Sequence, residues 1–348
     1  MLTGLTTVRS PKPNRYRAAQ ATLWFVRPSM KEKQMKLFVF RRTLSGIPTL
    51  FGMTLIGFLI IGLTPGDPIE MELRRLGVTF SIEQIEALRG EYGLDKPLLQ
   101  RYFIWLGDLF RLDLGVSIAS GRPVLDLFKE HFPITATLSI LAFVNAAWIS
   151  LVLGGITALS QRTSVSSSLY ILTVVLVSVP SFWLALFLLG IFALGLGWFK
   201  LLQFGNMQDL ILPVTTLALG SAAAMSRLVR ERILAVMSED YIRLAIAKGL
   251  SRKVILGRHV LKSILPPLIT NWAISFGALL GGSVIVENIF NLPGLGQLAL
   301  QAIAERDFAI LQAYLLFMGL VFFITNFAAD LANYWLMPQV IKGEHGLR

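Results

Sequence analysis

An all-α polytopic membrane protein, with six transmembrane helices and an enlarged external domain between the first and second, is the fold this sequence predicts. Composition is the first of three observations that predict it. The 348 residues are 54% hydrophobic and only 15% charged, with a mean hydropathy of +0.65. A soluble domain has roughly 45–50% apolar and about 25% charged residues. Second, apolar stretches at about 43–63, 134–159, 169–194, 211–230, 267–289 and 309–336 match or approach the ~20 residues that cross a bilayer core. Third, charge is sorted along the chain. Residues 227–262 hold nine bases and three acids, whereas residues 65–132 hold eleven acids and eight bases. The positive-inside rule therefore puts 227–262 and both termini in the cytoplasm and the 64–133 insert outside. The same sorting explains the net charge of +11 without nucleic acid as a partner. Membrane lipid is the surrounding medium. The chain has no cysteine, so it has no disulfide and no thiolate metal site.

Taken in order, residues 1–36 are a basic leader with eight bases (Arg9, Arg15, Arg17 and Lys36 among them) against one acid, Glu32. It lacks the apolar core and small-residue cleavage site of a signal peptide. Residues 18–26 read either as a short interfacial helix, with Trp24 and Phe25 among the headgroups, or as part of a flexible cytoplasmic tail. The membrane body is 37–348. Its first span ends at the breaker Thr64-Pro-Gly-Asp-Pro68. In the insert, Ser81 is placed to cap a helix over 82–91, where Ile82, Ile85 and Leu88 recur at helical spacing. Its tryptophan and leucine content predicts packing rather than a solvated loop.

The second span holds Asn145 and Trp148. Pro180 interrupts the third, where the backbone groups it frees need neighbouring helices or a water-filled path. The fourth is expected to continue as helix past Arg227 and Arg230. In the fifth, Gly277, Gly281 and Gly282 would permit close helix packing. Asn326, Asp330 and Asn333 lie toward the inner end of the sixth. Polar groups inside a membrane are functional candidates, so Asn145, Pro180, Glu287, Asn326 and Asp330 are the candidate pathway-lining residues. Glu287, near the outer end of its span, reads equally as a solvated group. Asp330 also reads as reaching the headgroups.

Residues 231–266 form a polar, basic island between two apolar spans. Asp240 is a candidate N-cap for a helix over 241–248, and Gly249 suits the left-handed residue that ends one. Ser251 would cap a second helix from Arg252 toward Leu261. Such a rigid knuckle on a membrane protein has the shape of a docking site.

The wording Asp240-Tyr-Ile-Arg…Ala-Lys-Gly-Leu-Ser251 resembles the cytoplasmic loop of ATP-binding-cassette (ABC) importer permeases, in the dipeptide, oligopeptide and nickel branch. Pro-Gly-Asp-Pro68, Gly-Leu-Asp-Lys-Pro97, Leu-Asp-Leu-Gly115, Gly-Arg-Pro-Val124 and Asn291-Leu-Pro-Gly-Leu-Gly296 follow in the order similar to that branch. The resemblance runs from about Met35 to Val340. It implies the type I ABC importer permease fold and the B-type subunit of a bacterial inner-membrane importer for peptides or nickel. It also implies a homologous second permease, two cytoplasmic ABC ATPases that use ATP and magnesium, and an external substrate-binding protein. In the coupling loop it implies that Gly249 sets the bend and Ala245 and Ala247 allow close approach. Arg243 and Lys248 would pair with acids of the ATPase, with Asp240, Tyr241, Ser251 and Pro266 completing the loop. The sequence departs from the family in three places. Arg243-Leu-Ala245 stands for the general motif's Glu-Ala-Ala, and Lys262 stands where its proline would fall, with Pro266 a turn later. Met337-Pro-Gln339 replaces an expected Asp-Pro-Arg near the C-terminus.

No Gly-x4-Gly-Lys-Ser/Thr phosphate loop occurs in the sequence, so the chain binds no ATP of its own by that device. His131, His259 and His345 fall in different segments and suggest no metal site. A membrane-embedded enzyme would need a nucleophile with its base, paired intramembrane aspartates or His-Glu-x-x-His, and none is present. An ion-coupled secondary transporter would normally show repeats and midplane charges.

Overall fold

A computed structural model describes residues 28–63, 66–75, 77, 81–160, 163–199 and 205–336. Most of the basic leader, and the tail with Met337-Pro-Gln339, lie outside these residues. The described chain is helical, with a lone antiparallel bridge between Val116 and Pro123 and no strand among the described residues. Of the described residues, those through Thr49 form one unit and those from Leu50 onward a second. Helix α1 (Pro28–Leu63) runs through the boundary and ends just before Pro65.

The insert carries α2 (Pro68–Arg75), α3 (Ile82–Glu91) and α4 (Leu98–Leu109). Ser81 caps α3 as expected, in a capping box with Gln84 that satisfies donors on both sides. Arg89 ties α3 to α2 through Asp67 (2.6 Å) and Glu70 (3.2 Å). Tyr102 of α4 is wholly buried, and its hydroxyl bonds to Thr54 Oγ1 at 3.0 Å, within a cage that includes Phe51, Phe58 and Trp105. The insert is thus packed onto a span, as its aromatic content predicts.

Helix α5 (Val124–Leu159) begins ten residues before the expected second span and carries Pro133 internally. Its extra turns are held by Val124, Leu127 and Phe128, which pack with Leu295, Leu298 and Ile310. The third expected span is a bent pair: α6 (Ser164–Ser178) and α7 (Ser181–Leu188, continuing as π-helix to Gly195) are bent by 106° about Val179–Pro180. Proline disfavours the helical basin at the preceding residue, and Val179 is extended (φ −84°, ψ 123°) while Pro180 becomes the N-cap of α7. Helix α8 (Ile211–Met237) runs past Arg227 and Arg230, as expected. After the short α9 (Asp240–Ala247), α10 is one rod over Arg252–Ile289, with a π-helical stretch at Ile255–Val260. The predicted short second helix therefore does not stop at Leu261 but continues into the fifth span through Pro266 and Pro267. Helices α11 (Leu295–Glu305) and α12 (Phe308–Leu336) complete the chain.

Among the described residues, five helices are long and apolar enough to cross a membrane, and six if the bent α6–α7 pair counts as one span. Helix α8 is the central one: 61% of its most apolar window is buried, against 17–28% in the other four long helices. It packs chiefly on α5. There Ala142, Ala146, Ser150, Gly154 and Ala158, one every four residues, are all buried against it. A Cβ at Gly154 would sit 2.7 Å from the Ser226 carbonyl oxygen, so only glycine permits this crossing. Of the three glycines expected to do this in the fifth span, Gly277 is tight, against Phe322 at 2.8 Å, but Gly281 faces open space.

Candidate functional site

The knuckle is made by two helix ends and a glycine. Helix α9 starts one residue earlier than expected. Its N-cap is Glu239, with no side-chain bond, while Asp240 lies inside the first turn. At the other end, Gly249 N–H donates to Ile246 O (2.9 Å) and Leu250 N–H to Ala245 O (3.2 Å), the paired bonds of a Schellman ending. Gly249 has φ +78°, the left-handed value that the ending requires. Ser251 Oγ then accepts from Val254 N–H and starts α10. The bend is fixed by backbone geometry at one residue.

One face of the knuckle is rooted in the bundle. Ile242 and Ala245 are buried with Val229 and Ile233 of α8 and with Ile255, Val260, Ile264 and Leu268 of α10. Burying an isoleucine contributes roughly 1.5–3 kcal/mol, so α9 is anchored by this contact rather than by its eight residues of helix. Arg252 adds a bond to the Leu159 carbonyl at the end of α5, and Tyr241 one to Ser263. The other face is open. Tyr241, Leu244, Ile246, Leu250 and Val254 are exposed, with Arg243, Ala247, Lys248 and Lys253 exposed among them. An exposed apolar patch rimmed by charge suits a contact with protein or with membrane.

The sequence-predicted loop residues fall on both faces. Ala245 points into the core and is too buried to meet a partner, whereas Ala247 is on the open face. Pro266 is buried inside α10. Arg243 pairs loosely with Asp240 at 3.4 Å, both side chains largely exposed. An exposed pair of this kind contributes little. Arg243→Ala is therefore expected to weaken partner binding by less than about fivefold, read from co-purification at matched membrane abundance.

A second constellation lies at the opposite end of α5 and α10. Glu287 is wholly buried. Its carboxylate accepts from Thr135 Oγ1 (2.8 Å), Gly296 N–H (2.7 Å) and Gln297 N–H (3.2 Å), while Thr135 Oγ1 accepts from Leu295 N–H (2.7 Å). The carboxylate and the hydroxyl together satisfy three N–H groups of the first turn of α11. This accounts for the glycines of Pro293-Gly-Leu-Gly296: a Cβ at Gly294 would strike the Glu287 carboxylate, and one at Gly296 would sit 2.6 Å from Val284 Cα. Nearby, Asp307 is equally buried and accepts from Ser117 Oγ (2.6 Å), which pins the insert to the start of α12. The solvated alternative for Glu287 is thereby corrected. Thr135 and the Ser117–Asp307 pair were missed because the groups that join them lie more than 150 positions apart in sequence.

The other membrane candidates are not gathered with Glu287. Asn145 and Asn326 return their amides to their own helices, to Leu141 O and Phe322 O, each at 2.8 Å. Asp330 is half-buried near the far end of α12, where Asn333 bridges to Thr270 of α10 (2.7 Å). Pro180 is exposed at the α6–α7 bend.

Residues 150–342 match the family described as binding-protein-dependent transport system inner membrane component, and residues 35–139 match the N-terminal family of such membrane components. A putative peptide transport system permease protein of Brucella abortus (strain 2308) is 35% identical over 314 residues, covering 88% of this chain and 99% of the relative. The glutathione transport system permease protein GsiC of Escherichia coli (strain K12) is 34% identical over 303 residues, covering 87% and 98%. Among solved structures, the MetNI methionine ABC transporter in inward-facing form superposes with a TM-score of 0.53 at 17% identity, covering 61% of this chain and 97% of that one. That likeness is one of fold.

Proposed function

Since the chain belongs to the family of binding-protein-dependent transport system inner membrane components, we propose that its knuckle is the seat through which ATPases drive transport. In this reading two cytoplasmic ABC ATPases, using ATP and magnesium, dock on the open face of α9 and the start of α10. A homologous second permease supplies the other half of the pathway. The carrying observation is the two-faced knuckle: a Schellman-fixed bend, an open apolar and basic surface, and a buried root on α8 and α10. A displacement at the surface passes into these two helices because the root leaves it little slack. The chain itself brings no phosphate loop, so nucleotide chemistry belongs to the partners.

The charge distribution supports a multi-pass protein of the bacterial inner membrane with both termini and the knuckle in the cytoplasm. The insert then faces outward and receives cargo from a substrate-binding protein. Peptides are the proposed cargo class, because the similar permeases carry names of peptide and glutathione transport. The test is co-purification of ATPase subunits with this chain, followed by ATP-dependent uptake of labelled dipeptides, glutathione and longer peptides into vesicles. Uptake of a peptide that stops when ATP is withheld supports the reading. Uptake that follows an ion gradient without ATPase subunits overturns it.

Topology has its own test. The chain has no cysteine, so a single introduced thiol reports one place. Cysteines at the exposed insert positions Phe110 and Leu112 are expected to crosslink to the binding protein. Crosslinks to it from knuckle positions alone would mean that the orientation is inverted.

A further inference from the structure

Between α6 and α8, apart from the knuckle, lies a cavity of about 360 Å³ lined by Tyr170, Val177, Ala224, Arg227, Leu228, Arg230 and Glu231. We propose that this cavity binds the phosphodiester of an anionic phospholipid such as phosphatidylglycerol.

Charge is the first support. Neither arginine has an ion-pair or hydrogen-bond partner among the described residues, and Arg230 Nε is buried without one. The Arg230 guanidinium lies over the Tyr170 ring, 4.8 Å from its centroid. That stacking holds the plane of the fork but leaves its N–H groups unspent. Two guanidinium groups against the Glu231 carboxylate leave one net positive charge. The charge balance therefore favours an anion, and a planar fork suits phosphate oxygens.

Depth is the second support. Arg227 and Arg230 stand where α8 passes from its apolar stretch into charged sequence. Tyr170 stands one turn inside the polar Ser164–Ser168 end of α6. Both helices thus put the cavity at the boundary between hydrocarbon and headgroups, where tyrosine is favoured. Basic pockets between spans at this level suit anionic headgroups.

Shape is the third. The cavity has room for a phosphate and its glycerol but not for two acyl chains. Beside it α6 exposes Ile171, Val174 and Val175, an apolar strip along which the chains would lie. A peptide carboxylate would need no such strip. The placement depends on depth alone and holds for either orientation of the chain.

The purified transport complex in phosphatidylcholine nanodiscs can be titrated with fluorescent phosphatidylglycerol, with inorganic phosphate as competitor. Saturable binding is expected, with phosphate displacing the lipid poorly because it brings no chains. Arg230→Gln should weaken binding at least tenfold, Arg230→Lys less, and Arg227→Gln, a change at an exposed position, about threefold or more. Tyr170→Phe should bind as the parent does, since the ring is kept. Should Arg230→Gln fail to fold, Arg227→Gln decides alone. Equal binding by the parent and the Arg227 and Arg230 variants overturns the proposal. So does displacement by phosphate at an affinity equal to the lipid's, which would make this a free-anion site. Loss of the second permease from both arginine variants with unchanged lipid binding overturns it too, because the arginines would then face protein.

Discussion

Gly249→Val is expected to leave membrane insertion normal while co-purified ATPase falls at least tenfold and uptake is lost or nearly so. The left-handed backbone at φ +78° is costly for any residue with a Cβ, by about 1–2 kcal/mol, and more for a β-branched one. No atom lies within 4 Å of a Cβ built at this position. The effect is therefore one of backbone strain and not of collision. Strain is relieved by unwinding the bonds to Ile246 and Ala245, which shifts Leu250 and the Ser251 cap of α10. The root of Ile242 and Ala245 is untouched, so the bundle stays folded. Gly249→Asn provides the control, because asparagine tolerates the left-handed basin. It should retain ATPases and uptake close to the parent's. Co-purification and uptake are measured together for both variants.

Glu287→Ala is expected to lower the melting temperature of the purified complex by about 5 °C or more. It orphans the buried N–H groups of Gly296 and Gln297 and leaves Thr135 half-bonded. Each unsatisfied buried group costs about 1–3 kcal/mol, and one kcal/mol moves a domain of this size by about 2–4 °C or less. Gly294→Val should do comparable damage from the other side, since its side chain enters the space of the carboxylate and of Thr135. Glu287→Gln keeps the shape and one acceptor, so it should fall between alanine and the parent. A parental melting temperature for Glu287→Ala, with uptake lost, would transfer this carboxylate from scaffold to cargo contact.

The long apolar helices and the turn of the knuckle were legible because their signals are local. Apolar length, charge sorting and cap residues all act within a few turns, which is why Ser81, Gly249 and Ser251 were placed correctly. Asp240 was misread because an acid in the first turn and an acid at the cap serve the same helix end, and sequence alone separates them poorly. Pro266 was counted with the coupling loop, yet Pro266 and Pro267 lie inside α10, where close packing on α8 and α12 sustains the rod. Pro180, read as a perturbation within one span, ends a helix outright because Val179 has gone extended. The tight crossing at Gly154 and the Thr135–Glu287–Gly296 latch were illegible. Each depends on a partner brought in by the fold from a distant part of the chain.

On the proposed function, the open face of α9 and the start of α10 seats an ATPase. Single cysteines at Leu244 and Leu250, both exposed on that face, give the most direct measurement, since the parent chain has no thiol of its own. In the assembled transporter each should crosslink to an ATPase subunit, with a yield that changes when ATP and magnesium are added. A cysteine at Leu112 in the insert should not. ATPase adducts from Leu112, or their absence from both knuckle positions in a complex that still hydrolyses ATP and transports, would contradict the account.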